Sequence, residues 1–200
     1  MLAVRPVLQN RSGLTESGGR DLSNAMAIHE AYLRGDLEAL KAALGDPPDF
    51  PNCRGPRGVG ENILEYAIYW SPKGFVRALL ELGAEPNYGD HAGFPALLAA
   101  LAANRSDKRA LIELLLSFGA EIEQRGINDW TPLHYAVALG DRDAVQTLLS
   151  RGADPSARTR IDDLSSPLQD AEQLGLNEIA DLLRSAPGGR NHRRARGLPG

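Results

Sequence analysis

Trp130-Thr131-Pro132-Leu133-His134-Tyr135-Ala136-Val137-Ala138-Leu139-Gly140, continued by Asp141 to Asp154, is the stretch on which the reading of the chain turns. Thr131 has a hydroxyl suited to capping a helix, and Pro132 falls where the first helical residue needs no N–H. Leu133, Ala136, Val137 and Leu139 form a small apolar face, and Gly140 suits the left-handed residue that ends a short helix. Beyond Asp141, Ala144, Val145, Leu148 and Leu149 make the stripe of a second amphipathic helix. Gly152 stops it, and Ala153-Asp154-Pro155 opens a polar stretch without helical period. The unit is helix, tight turn, helix, extended loop.

Looser copies occupy the rest of the chain. Aligned on Ala136, the residues Ala31, Ala67, Ala100 and Ala171 share one slot, at spacings of 36, 33, 36 and 35. Four positions on stand Gly35, Ser71, Asn104, Gly140 and Gly175, all able to end a short helix. Apolar pairs precede the second stop at Ala43-Leu44, Leu79-Leu80, Leu115-Leu116, Leu148-Leu149 and Leu182-Leu183. Gly83-Ala84-Glu85, Gly119-Ala120-Glu121 and Gly152-Ala153-Asp154 follow three of them. With its Thr-Pro-Leu-His-x-Ala core, this pattern resembles the ankyrin-repeat family over residues 24 to 186. The quartets at Met26, Asn62, Pro95 and Ser166 depart from the full motif, yet Asn62 and Ser166 remain good caps. The resemblance implies an all-α solenoid of stacked helix-turn-helix units with hairpin-like loops.

The expected organisation is a flexible leader over 1–22, an ankyrin-repeat domain over 23–186, and a flexible basic tail over 187–200. The repeats divide as 23–52, 53–87, 88–123, 124–156 and 157–186. The first helix is expected from a cap at Ser23 or Asn24, and Ser71-Pro72 reads as a cap-plus-proline start for the second outer helix. The turn at Asn104-Arg105-Ser106-Asp107 holds three residues more than the turn after Gly140.

The 200 residues carry a formal charge of −4. The tail holds four arginines and no acid, which leaves −8 on the remainder. An acidic body argues against nucleic acid as the main ligand, because phosphate binding needs a positive face. Cys53 is the single cysteine, so no disulfide framework or cysteine metal cluster can form. No apolar run approaches the roughly 20 residues of a membrane span. A signal-peptide pattern is missing from the first 20 residues. These features point to a cytoplasmic, monomeric protein.

No Gly-rich phosphate loop, His-Glu-x-x-His, Cys-x-x-Cys or Gly-x-Ser-x-Gly occurs, so neither enzymatic activity, a small-molecule substrate, a cofactor nor a metal is expected. His29 and His134 fall in the motif slot, where the resemblance implies a structural imidazole bridging neighbouring hairpins. It also implies binding through hairpin tips and the surface of the inner helices. Mapped onto this sequence, those slots give Tyr69 and Trp70 on an inner helix, and His91, Phe94, Ile127, Trp130, Arg125 and Arg160 on the fingers. Tryptophan, tyrosine and arginine dominate binding hot spots. For Phe94 and Trp130 the alternative is packing on the adjacent finger. The resulting expectation is a protein-binding module using the concave face of repeats two to four, as an inhibitor or immunity protein in one version. The alternatives are a scaffold or assembly factor, and a nucleic-acid-associated factor tethered by the arginine tail.

Overall fold

In the computed structural model, residues 16–56, 62–87, 95–126, 129–160 and 164–187 are described. Ten helices occur among them and no strand. Inner helices α1 (Glu16–Arg34), α3 (Ile63–Trp70), α5 (Ala96–Ala102), α7 (Pro132–Ala138) and α9 (Pro167–Gln173) alternate with outer helices. The outer set is α2 (Leu37–Ala43), α4 (Lys73–Glu81), α6 (Lys108–Ser117), α8 (Arg142–Ser150) and α10 (Asn177–Ser185). Each inner helix packs on the next inner helix and on its own outer partner, giving five stacked pairs. One continuous core runs through them, from Ile28 and Tyr32 through Leu79, Leu101 and Leu111 to Leu148 and Leu183. Each pair buries its apolar face on its neighbours, as expected of a solenoid.

Local chemistry sets the helix starts. Asn62, Thr131 and Ser166 cap α3, α7 and α9 through their side-chain oxygens, and Asp36 and Asp141 do the same for α2 and α8. The glycine stops are real. Gly140 has φ 65° and Gly152 φ 93°. At Gly140 the chain reverses so that Gly140 N–H and Asp141 N–H donate to the carbonyls of Val137 (2.8 Å) and Ala136 (3.0 Å). The anchor alanines Ala31, Ala67, Ala100, Ala136 and Ala171 are all buried in the stack. Replacing Gly140 by Val should cost about 1–2 kcal/mol, because a β-branched residue resists positive φ. Urea denaturation checks this, and an unchanged midpoint would contradict it.

Two starts differ from the sequence expectation. Helix α1 begins at Glu16 rather than after Ser23, through Gly18-Gly19. Extension backward from the packed end needs no new nucleus, although each glycine still costs about 1 kcal/mol relative to alanine. Ser71 does not cap α4: Pro72 is the N-cap residue, without a side-chain cap bond, and the buried Ser71 hydroxyl has no hydrogen-bond partner.

Repeat two lacks the glycine turn, and the bulge of repeat three compensates. Ile68 corresponds to Val137, whose carbonyl is served by Gly140 N–H. Here Arg105 reaches back across the seam and donates from Nη1 to the carbonyls of Ile68 (3.2 Å) and Ser71 (2.6 Å). Its Nε and Nη2 hold Asp107 at 2.8 and 2.9 Å. The three extra residues thus deliver a fixed guanidinium to the Ser71 carbonyl and to that of Ile68, whose counterpart Val137 is served by a glycine N–H.

A second ladder joins the repeats at their far loops. Asn52 donates to the Gly83 carbonyl (2.9 Å) and accepts from Glu85 N–H (2.9 Å). Asn87 repeats this with Gly119 (2.7 Å) and Glu121 (2.8 Å). At the next seam Glu123 takes the place of asparagine. It accepts from Asp154 N–H at 2.8 Å, but an ionised carboxylate has no N–H for the Gly152 carbonyl. Burial raises the Glu123 carboxyl above its ordinary range, partly offset by the Asp154 bond. A raised carboxyl disfavours the fold once the pH exceeds its unfolded value, so the penalty is present at neutrality and absent in acid. Glu123→Asn should therefore stabilise by about 1 kcal/mol at pH 7 and by less at pH 4. Denaturation at both pH values tests this; no gain at pH 7 would contradict it.

Candidate functional site: the inner-helix layer

The site is built on three slots of each inner helix: one residue before the anchor alanine, and two and three after it. In α3 these are Tyr66, Tyr69 and Trp70; in α7 and its C-cap they are Tyr135, Ala138 and Leu139. Helix α5, packed between them, offers only Ala99, Ala102 and Ala103. Large aromatic side chains therefore flank a helix whose slot residues Ala99 and Ala103 are fully buried and Ala102 half-buried.

Trp70 is 42% exposed and ends α3 beside the N-terminal helix. Its ring lies 5.5 Å from His29, edge-on, and 6.2 Å from Tyr66. The Tyr66 hydroxyl and His29 Nδ1 are hydrogen-bonded at 2.8 Å. His29 thus joins repeats one and two through a side chain of the next inner helix, whereas the family slot implied a hairpin contact. Half-buried Tyr69 has its hydroxyl pushed up to about 12, first by burial and then by Glu65 and Tyr135 within electrostatic reach. Trp130, also half-buried, lies 6.2 Å from Tyr135 with the two rings tilted at 54°. His29, Tyr66, Trp70, Tyr69, Tyr135 and Trp130 make an aromatic track across α1 to α7.

Apolar exposure concentrates on the same layer. Leu22, Met26 and Leu33 share one stripe of α1 with His29, at spacings of four, three and four. Leu139 and Leu174 project at the ends of α7 and α9, and with Trp70 they bring onto the inner helices six of the eight exposed large hydrophobics found among the described residues. Scattered surface apolar residues are ordinary, whereas these exposed ones gather along one layer.

His134 is fully buried and acts within the scaffold. Its Nε2–H donates to the Ser165 carbonyl of the next finger (3.2 Å), so Nδ1 accepts from the Thr131 hydroxyl at 2.8 Å. Burial lowers its pKa, which keeps the ring neutral for these two bonds.

The finger arginines are tied down. Arg125 donates from Nη1 to the Asp129 carbonyl and carboxylate, both at 2.8 Å, and from Nη2 to the Arg158 carbonyl at 2.9 Å. Arg160, 73% exposed, meets the same carboxylate through Nε (3.0 Å) and Nη2 (2.5 Å), and its backbone N–H donates at 2.6 Å. The Arg160 bonds, opposed by desolvation, hold Asp129 down at about 2. Of the eight residues mapped from sequence, the structure brings Tyr69, Trp70 and Trp130 onto the aromatic layer and places Arg125 and Arg160 around Asp129. His91, Phe94 and Ile127 lie outside the described residues. Sequence mapping does not find Tyr66, Tyr135 and His29 as ring partners, although two of them share the slot before the anchor alanine.

Among the described residues, no group of three or more His, Cys, Asp or Glu could hold a metal ion, and no helix is long and apolar enough to cross a membrane. The free thiol of Cys53 is buried, and burial raises its pKa away from the reactive range.

The chain is similar to known proteins in these repeats. The family model for ankyrin repeats (3 copies) matches residues 89–159. Protein phosphatase 1 regulatory subunit 27 of Mus musculus is 41% identical over 86 residues, which cover 42% of this chain and 56% of that protein. Protein PhlB of Serratia liquefaciens is 33% identical over 150 residues, or 74% of this chain and 62% of that protein. Neurogenic locus notch homolog protein 4 of Homo sapiens is 40% identical over 98 residues, 48% of this chain but 5% of that protein. The matches span only part of each relative's length. Ankyrin repeats generally mediate protein–protein interaction and are typically non-catalytic. Five stacked helix pairs, the Thr-Pro-Leu-His cap and these matches agree: the chain belongs to the ankyrin-repeat family.

Proposed function

We propose that this protein is a non-enzymatic binding module that docks one folded protein partner on the inner-helix face of repeats two to four. The observation that carries this reading is the aromatic track from Trp70 and Tyr69 to Tyr135 and Trp130, flanked by exposed Leu33, Leu139 and Leu174. Rigid aromatic side chains lose little entropy on contact and dominate hot spots. A face of this kind is of a size to bury the roughly 800 Å² per partner of a standard interface. Inhibition of the partner, as by an immunity protein, is the narrower form, and the acidic body favours it through charge complementarity. A monomer in a cytoplasmic setting completes the reading.

The test is affinity capture with the full chain followed by mass spectrometry. A partner held by the wild type and by Glu113→Ala on α6, but lost with Trp70→Ala/Trp130→Ala, supports the module. A partner held equally by the double tryptophan variant overturns it.

A further inference from the structure

Helix α1 carries two apolar stripes, and only one of them is covered. Ile28, Ala31 and Tyr32 are buried in the stack. Leu22, Met26 and Leu33 stand 44%, 68% and 47% exposed on the stripe they share with half-buried His29. The His29 ring lies 5.5 Å from that of Trp70, so the open stripe reaches the edge of the aromatic track. A surface helix ordinarily has polar residues beyond its buried face. Among the described residues, none of the other exposed large hydrophobics, Leu82, Leu139, Leu164 and Leu174, shares a helix stripe with another.

This stripe lies beside the chain's own leader. Residues 1–15 are outside the described residues and join α1 at Glu16, six positions before Leu22. Residues 2–8 read Leu-Ala-Val-Arg-Pro-Val-Leu, an apolar run whose valines and proline favour an extended strip over a helix. Residues 9–15 read Gln-Asn-Arg-Ser-Gly-Leu-Thr, mostly polar, with a Ser-Gly pair that suits a reversal of the chain. The lengths agree. From Leu22 to Leu33 the helix rises about 17 Å, and seven extended residues span roughly 20 Å. The intervening seven residues reach up to about 25 Å, against roughly 9 Å along the helix from Glu16 to Leu22. Arg5 and Arg11, with no acid in the leader, suit it to an acidic body.

We propose that residues 2–8 fold back antiparallel to α1 and cover Leu22, Met26 and Leu33, ending beside Trp70. The tether holds the strip at an effective concentration of order millimolar, which favours it over a second copy of the chain. Its consequence for function rests on the binding-module reading, in which Leu33 and Trp70 edge the partner face. There the leader is a self-cover that the partner displaces, and the apparent affinity falls with the fraction of chains left open.

The experiment uses the full chain with Cys53→Ala and Ala3→Cys, the new thiol carrying a nitroxide. Paramagnetic broadening should be strongest at the amides of residues 29–34 and at the Trp70 indole, and weaker towards Glu16. With Leu2→Ser/Val4→Ser/Val7→Ser/Leu8→Ser in the same chain, a free tether should reverse that gradient. Acrylamide quenching gives a second reading without the label. In Trp130→Phe, where Trp70 is the one tryptophan left, quenching should rise about twofold when the four serines are added. Urea midpoints confirm that each variant is folded. A gradient falling away from Glu16 in the unsubstituted leader, or unchanged quenching, overturns the inference. Broadening passed between molecules in a mixture of nitroxide-bearing and isotope-labelled chains makes a second copy the occupant and overturns it as well. The captured partner should bind the four-serine chain at least threefold more tightly; equal affinity despite a docked leader overturns the displacement. A partner held through Trp70 and Trp130 beside an undocked leader overturns this inference and leaves the module reading standing. A docked leader with capture indifferent to both tryptophans overturns the module reading alone.

Discussion

Asp129→Ala should lower the stability of the fold by about 2 kcal/mol at neutral pH, with the loss shrinking in acid. The Asp129 side chain is only 10% exposed and accepts bonds from two arginines of successive fingers. Removing it leaves two guanidiniums facing each other without a counter-ion. A fully buried broken pair costs roughly 3–5 kcal/mol, but exposed Arg160 can regain water, so the smaller figure applies. The residue also has φ 58°, a conformation that Asp and Asn tolerate better than Ala. Asp129→Asn keeps that tolerance and one carbonyl acceptor, so its loss should fall between wild type and Asp129→Ala. Because the folded pKa is depressed to about 2, the stabilisation is complete above the ordinary carboxylate range near ~4 and disappears as the pH falls towards 2. Urea denaturation at pH 7, 4 and 2.5 reads all three proteins. A gap between wild type and Asp129→Ala that does not narrow in acid would refute the ion-pair account.

How far the sequence alone carries depends on the distance over which each feature is encoded. The caps at Asn62, Thr131 and Ser166, the glycine turns at Gly140 and Gly152, and the alanine anchors are fixed by neighbours within about five residues. They are legible. The start of α1 is not, because Gly18-Gly19 looks like a breaker when local propensity is the only guide. The Ser71-Pro72 pair resembles a cap in sequence, yet the chain arrives there with the Ser71 hydroxyl buried and Pro72 in the cap place. The three-residue bulge at Arg105 is visible as an insertion, but its purpose depends on carbonyls of the preceding repeat, 34 and 37 residues away. Likewise Asp129 meets Arg160 across 31 residues, so the sequence does not reveal that both finger arginines already have a carboxylate partner. The aromatic layer is half legible. The family slots locate Tyr69, Trp70 and Trp130, whereas half-buried Tyr66 and Tyr135 sit one position before the anchor alanine, three positions from the nearest mapped slot.

Trp70→Ala should weaken partner binding by about 2 kcal/mol or more while barely changing the stability of the free chain. The two effects separate because Trp70 ends α3 with 42% of its surface in water, and its ring contacts are with half-buried His29, edge-on, and half-buried Tyr66, tilted, rather than with the fully buried core. Truncation therefore leaves no closed cavity, and the His29–Tyr66 hydrogen bond survives it. In a complex the same ring would be covered and its pocket on the partner left empty, which is the situation in which single truncations cost most. Trp130→Ala should cost a similar amount of binding but more stability, since its ring is half-buried against Tyr135. Glu113→Ala and Gln146→Ala, on outer helices α6 and α8, should change binding by less than about 0.5 kcal/mol. Calorimetry with the captured partner gives the affinities, and urea midpoints separate lost folding from lost contact. Should both tryptophan variants fold and bind as tightly as wild type, the partner must sit elsewhere on the solenoid, and the outer-helix variants would be the next place to look for a loss.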